Sequence, residues 1–86
     1  MTEESVRSQL RDLLAPRLQQ LGLSQREVKD GLSLTQSGIL DSFAMMELLA
    51  QAEEHFNVQL DLGALEVADF TTLTGLSRAF AKALPA

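Results

Sequence analysis

The sequence predicts an all-α domain, and three observations lead there. Two long stretches, one from Glu3 to Leu21 and one running on from Asp41, repeat their apolar residues at three- and four-residue steps. A shorter stretch after Thr72 does the same. No segment alternates apolar and polar residues in the way of a half-buried strand. The expected architecture is a bundle of three main helices and one short one, with a long ordered loop between the first two. At 86 residues the chain can build one domain with one small core, spanning residues 1–86.

In the first helix Val6, Leu10, Leu13, Leu14, Leu18 and Leu21 form one stripe. Pro16 falls inside it. A proline there removes a backbone donor and clashes with the carbonyl of Asp12, so a kink or break is expected near residues 12–16. The stripe continues past Pro16, which favours a kink. Gly22 should end the helix. From Leu23 to Asp41 the periodicity fades, apart from a short turn of helix around Arg26 to Lys29. The segment "GLSLTQSGILD" is rich in Gly and Ser yet carries Leu32, Leu34, Ile39 and Leu40. Structureless loops of this length are uncommon in compact domains, so these four side chains are expected to pin the loop to the helices.

The second helix has the clearest pattern. Met45, Leu48, Leu49, Ala52 and Phe56 occupy one face, leaving Phe43, Met46, Glu47, Ala50, Glu53 and Glu54 pointing elsewhere. Asn57 and Val58 end it. A short helical turn is expected around Leu65 to Ala68. Thr71 or Thr72 then caps a last helix striped by Leu73, Leu76, Phe80 and Leu84, and Pro85 stops it.

The composition excludes several functions. There is no cysteine, hence no disulfide and no thiolate metal site, and one histidine, His55, is too few for a metal centre or a nucleophilic triad. The net charge is −5, and no Lys or Arg falls between Lys29 and Arg78, where eight acids do: Asp30, Asp41, Glu47, Glu53, Glu54, Asp61, Glu66 and Asp69. A field of one sign repels nucleic acid and anionic membranes and steers basic partners inward, although a merely solvated face has the same composition. No apolar run approaches the ~20 residues of a membrane span, and "MTEESVRSQL" is polar and acidic, unlike a signal peptide. A monomer in the cytoplasm, without catalytic activity of its own, is expected.

Within "SGILDSFAMMELL", Asp41 and Ser42 open the second helix. Either can cap it, because a side-chain oxygen there accepts from free amides of the first turn. If Asp41 caps, the Ser42 hydroxyl is left over and exposed. A phosphate ester on it would lie at the positive end of the helix dipole, worth roughly 0.3–1 kcal/mol. Phe43 and Met46 add apolar area beside the serine, and Glu53 and Glu54 lie in the C-terminal half of the helix, where the dipole favours cations. Together these residues describe a recognition face.

The segment "SGILDSFAMMELLAQAEEHFNVQL" resembles the attachment helix of acyl carrier proteins, in which an Asp-Ser-Leu-like triplet opens the second helix. The triplet here is Asp41-Ser42-Phe43. It is followed by Glu47-Leu48 and by Glu53-Glu54-His55-Phe56-Asn57-Val58-Gln59-Leu60. The order of elements agrees over most of the chain, down to "DFTTLTGL" before the last helix. The resemblance implies that Ser42 carries a 4′-phosphopantetheine arm taken from coenzyme A, with acyl, aminoacyl or peptidyl cargo held as a thioester on its thiol. It implies as partners a phosphopantetheinyl transferase, a loading enzyme (an adenylating ligase or acyltransferase) and a downstream transferase or condensing enzyme. Asp41, Phe43, Met46, Glu47, Glu53 and Glu54 become the candidate recognition residues. Two positions depart from the fatty-acid pattern: Phe43 stands where Leu is usual, and Ala44 where an acid is frequent. "SGILDSF" is closer to free-standing aminoacyl and peptidyl carriers of natural-product pathways. The rival expectation is a small helical interaction module that binds through the same face and is never modified.

Overall fold

The computed structural model describes residues 2–84. Four helices follow one another: α1 (Glu3–Leu21), α2 (Ser42–Phe56), α3 (Val67–Thr71) and α4 (Leu73–Ala83), with 3₁₀ turns at Gln25–Glu27 and Leu62–Ala64. No strand occurs among the described residues. The fold is therefore the all-helical bundle expected, with three main helices, a short one and a long loop between α1 and α2. Its radius of gyration, 11.9 Å, is that of one packed unit of this length (about 12 Å).

α1 begins at Thr2, whose hydroxyl accepts from the amide of Ser5 at 3.0 Å. Val6, Leu10, Leu14 and Leu18 are buried, Leu13 is half-buried, and Leu21 at the end of the stripe is 42% exposed. The helix is continuous through Pro16, so no break occurs; the proline lies on the exposed side. Gly22 ends α1 in the left-handed region, φ 71°. The amide of Leu23 then reaches back to the Leu18 carbonyl at 2.9 Å, which satisfies an end-of-helix acceptor.

The long loop is ordered by side chains and by backbone bonds. Leu34, Ile39 and Leu40 are buried as expected, along with Val28, whereas Leu32 is only half-buried against the core. The amide of Leu34 donates to Thr71 at the end of α3 (2.8 Å), and the amide of Thr74 donates to Asp30 (3.0 Å). α1 holds the loop from its other side. Arg11 donates to the carbonyls of Gln25 and Val28 and pairs with Asp30, which also meets Arg7 at 3.4 Å. Arg17 donates through Nε to the Ile39 carbonyl at 3.2 Å. The short turn lies at Gln25–Glu27, slightly before the expected Arg26 to Lys29, because Ser24 and Glu27 form a capping box that fixes its start.

In α2 the five predicted core residues, Met45, Leu48, Leu49, Ala52 and Phe56, are all buried. Asn57 closes the helix at φ 57°, with the amide of Val58 bonded to the Glu53 carbonyl at 3.1 Å. The turn expected around Leu65 to Ala68 divides into the 3₁₀ turn and α3, since Glu66 and Asp69 form a capping box that starts α3 at Val67. Thr72, not Thr71, caps α4, accepting from the amide of Gly75 at 3.0 Å. Leu73, Leu76 and Phe80 are buried and Leu84 is half-buried. Pro85, the expected stop signal, lies outside the described residues.

Candidate functional site

The first turn of α2 decides how Asp41 and Ser42 divide their work. Asp41 is the N-cap in extended conformation, and its Oδ1 accepts from the amide of Ala44 at 2.7 Å. Ser42 is the first helical residue, exposed, and its hydroxyl has no hydrogen-bond partner among the described residues. The hydroxyl is thus not needed for the cap. It stands at the positive end of a 15-residue helix, where an anionic substituent is stabilised by the unpaired first-turn amides. A phosphate ester fits this position without displacing any hydrogen bond the fold uses.

Beside the serine, Phe43 is 75% exposed and Met46 54% exposed, two of the most exposed large apolar side chains in the protein. Glu47 and Glu54 are exposed, and neither forms an ion pair or hydrogen bond among the described residues. Glu53 is different. It is half-buried, and its Oε2 accepts from the amide of Leu60 at 2.8 Å, tying the segment after α2 back onto the helix. Of the six expected recognition residues, Phe43, Met46, Glu47 and Glu54 present free side chains, while Asp41 and Glu53 are engaged with backbone amides.

A cleft of about 350 Å³ opens on the flank of α2 that faces α1. Leu13 and Leu14 of α1 and Leu40, Ala44 and Leu48 supply its apolar lining. Sequence reasoning gave no sign of this cleft, because its walls come from residues 13–20 and 40–51, which no local pattern links. Arg17, which also lines it, was missed as a loop-holding residue for the same reason.

Other chemistry finds little support. His55 spends its Nε2 on Gln9 Oε1, 2.7 Å away on α1, and packs edge-on against Phe56. Among the described residues no three His, Cys, Asp or Glu side chains gather where they could hold a metal ion, and no helix is long and apolar enough to cross a membrane.

Among curated proteins and among solved structures, nothing matches the chain. A family model described as "phosphopantetheine attachment site" matches residues 8–80, from the second turn of α1 to the Phe80 that α4 buries in the core. That span takes in the exposed serine, its cap and the anchored loop before it, and the chain belongs to the phosphopantetheine attachment-site family, whose members are carriers with a covalently attached 4′-phosphopantetheine and are not themselves catalysts.

Proposed function

We propose that residues 1–86 form one carrier domain whose arm is borne by Ser42. The observation that carries this reading is the division of labour at the start of α2: Asp41 caps the helix, and Ser42 keeps an exposed, unpaired hydroxyl. In the loading step the Ser42 oxygen bonds to the pantetheine-side phosphorus of coenzyme A. The pyrophosphate P–O bond breaks, adenosine 3′,5′-bisphosphate leaves, and the hydroxyl proton passes to a base of the transferase. The free amides of the first turn would hold the phosphodiester's negative charge, and Asp41, through its bond to the Ala44 amide, keeps the helix end in place. When bound, the arm supplies a thiol, a far better leaving group for acyl transfer than any group in this cysteine-free chain.

The cargo we assign is an acyl, aminoacyl or peptidyl group, in a natural-product or aminoacyl-transfer pathway in preference to primary fatty-acid synthesis. The support is the Phe43-Ala44 pair directly after the serine. Its partners are then a phosphopantetheinyl transferase, an adenylating ligase or acyltransferase that loads the thiol, and a transferase or condensing enzyme that unloads it. Phe43, Met46, Glu47 and Glu54 are offered to all of them, Phe43 and Met46 as apolar anchors and the two glutamates as the steering charge.

The test is intact mass after incubation with coenzyme A and a broad-specificity transferase, followed by peptide mapping. One arm is expected, on the peptide containing Ser42, and none on Ser42→Ala. An arm on the Ser42→Ala chain, or no arm on the wild type, overturns the assignment and leaves an unmodified interaction module.

A further inference from the structure

We propose that the cleft between α1 and α2 is the resting berth of the protein's own arm. This rests on the attachment of that arm to Ser42. The first support is reach. Arg17 lines the cleft and bonds to the carbonyl of Ile39, three residues before Ser42. Three residues span at most about 11 Å, whereas the arm, with some fourteen chain atoms from phosphorus to sulfur, extends about 16 Å. Leu40 and Ala44, two residues to either side of Ser42, also line the cleft. A group tethered at the first residue of α2 can therefore pass round the open end of the helix and lie along it.

The second support is chemical fit. The cleft volume of about 350 Å³ falls in the range of small-molecule sites. Its apolar lining suits the dimethyl and methylene segments of the arm. Its polar lining comes from Arg17 and Gln20 on α1 and from Glu47 and Gln51 on α2. Among the described residues the two terminal nitrogens of Arg17 have no partner, and neither does the Glu47 carboxylate. The arm carries two amides, whose carbonyls can accept from Arg17 and whose N–H groups can donate to Glu47. The Arg17 head is already held through Nε, so its remaining donors are fixed in direction before the arm arrives. A docked arm lies on the α1 flank, leaving Phe43 and Met46 free, and a partner enzyme draws it out to gain the thioester.

The experiment compares the apo and arm-bearing proteins, after intact mass has verified a single arm on Ser42. Docking predicts NMR shift changes at the Arg17 Nε–H and the amide of Gln20, and also at the amides of Leu13 and Gln51, the last of these nine residues (about 13 Å) along α2 from the ester. It also predicts that the arm's thiol reacts with an aromatic disulfide more slowly than free pantetheine. A docked fraction of about one half to nine tenths gives an approximately two- to tenfold reduction. Filling the cleft from an exposed position, by Gln51→Trp or separately by Gln20→Trp, should abolish the distant shifts and restore the free rate. A chain that takes up no arm overturns both this proposal and the assignment of Ser42. A loaded chain whose changes stay at Asp41–Phe43, or fall instead on α3, and whose thiol reacts at the free rate overturns the berth alone.

Discussion

Gly75→Ala sets two effects of known sign against each other. Gly75 is the third residue of α4, and alanine in a helix is favoured over glycine by up to about 1 kcal/mol. On propensity alone the substitution stabilises. A Cβ at Gly75 would, however, lie 2.6 Å from the Asp69 carbonyl oxygen and 2.7 Å from that of Ala68. An ordinary carbon–oxygen contact needs about 3.3 Å, so α3 must retreat by roughly 0.7 Å. These are backbone atoms and cannot rotate away as a flexible side chain can. Nor is α3 free to move. The Thr71 carbonyl at its end accepts from the amide of Leu34, and Thr72 caps α4 on the other side. Overpacking costs about 1–3 kcal/mol, and against two backbone oxygens that cannot rotate away the upper part of that range, about 2–3 kcal/mol, applies. This exceeds the propensity gain of about 1 kcal/mol and leaves a net loss of about 1–2 kcal/mol. That is a large share of the roughly 4–13 kcal/mol typical for a domain of this length. Urea unfolding measures the loss, and the amide shift of Leu34 reports whether α3 has pulled on the long loop. Unchanged or increased stability with Leu34 unmoved would refute the reasoning and mean that α3 is not packed this tightly.

The other predictions concern the anchored loop and the α2 surface. Leu34→Ala should cost about 2–5 kcal/mol and Leu32→Ala clearly less, since the first side chain is fully buried and the second half-buried; equal losses in urea melts would argue against the observed loop packing. Ser42→Ala should leave stability within about 1 kcal/mol, because the Asp41 cap remains and alanine is the better helix former. Glu47→Lys and Glu54→Lys should slow transfer by partner enzymes, and the wild-type rate should fall with added salt, as expected when exposed charge steers association. Phe43→Ala should weaken partner binding at any ionic strength, in contrast to the charge variants.

Much of this fold was legible because each main helix reports its own buried face. The α2 stripe from Met45 to Phe56 meets the core at every expected position, and all five side chains join one hydrophobic cluster. The Asp41 cap was one of two local options, and the structure selects it. What local pattern could not reveal is contact between distant segments. Arg11 and Arg17 look like ordinary solvated cations on α1, yet they bond to residues 14 to 22 positions away and hold the loop that leads to Ser42. Leu21 continues the α1 stripe in sequence, but nothing covers it fully at the helix end, and it stays exposed. Glu53 reads as one of a row of acids, while its carboxylate is spent on the Leu60 amide.

The use of Glu53 changes how the acidic row of α2 should be tested. A reversal to lysine there removes a charge and also frees the Leu60 amide, so slowed transfer would not by itself show that a partner reads the charge. Glu53→Gln separates the two, because the amide oxygen can still accept from Leu60 while the charge is gone. If Glu53 acts by steering, Gln should slow transfer nearly as much as Lys, and the defect should shrink as salt rises. If it acts by holding the segment that leads from α2 to α3, Gln should transfer at close to the wild-type rate, whereas Lys should be slow at every salt concentration. Among the described residues Glu47 and Glu54 hold no backbone amide in this way, and Glu54 lies near the end of the helix that the dipole makes unfavourable for anions. The cations of α1 show the opposite economy: Arg7, Arg11 and Arg17 are all engaged within the fold. Positive charge is used here to hold the loop that leads to the serine, and unpaired negative charge is left facing outward on the helix that the serine opens. The Gln and Lys variants at position 53, measured beside Glu47→Lys across a salt series, decide whether that outward charge extends over Glu53 or stops short of it.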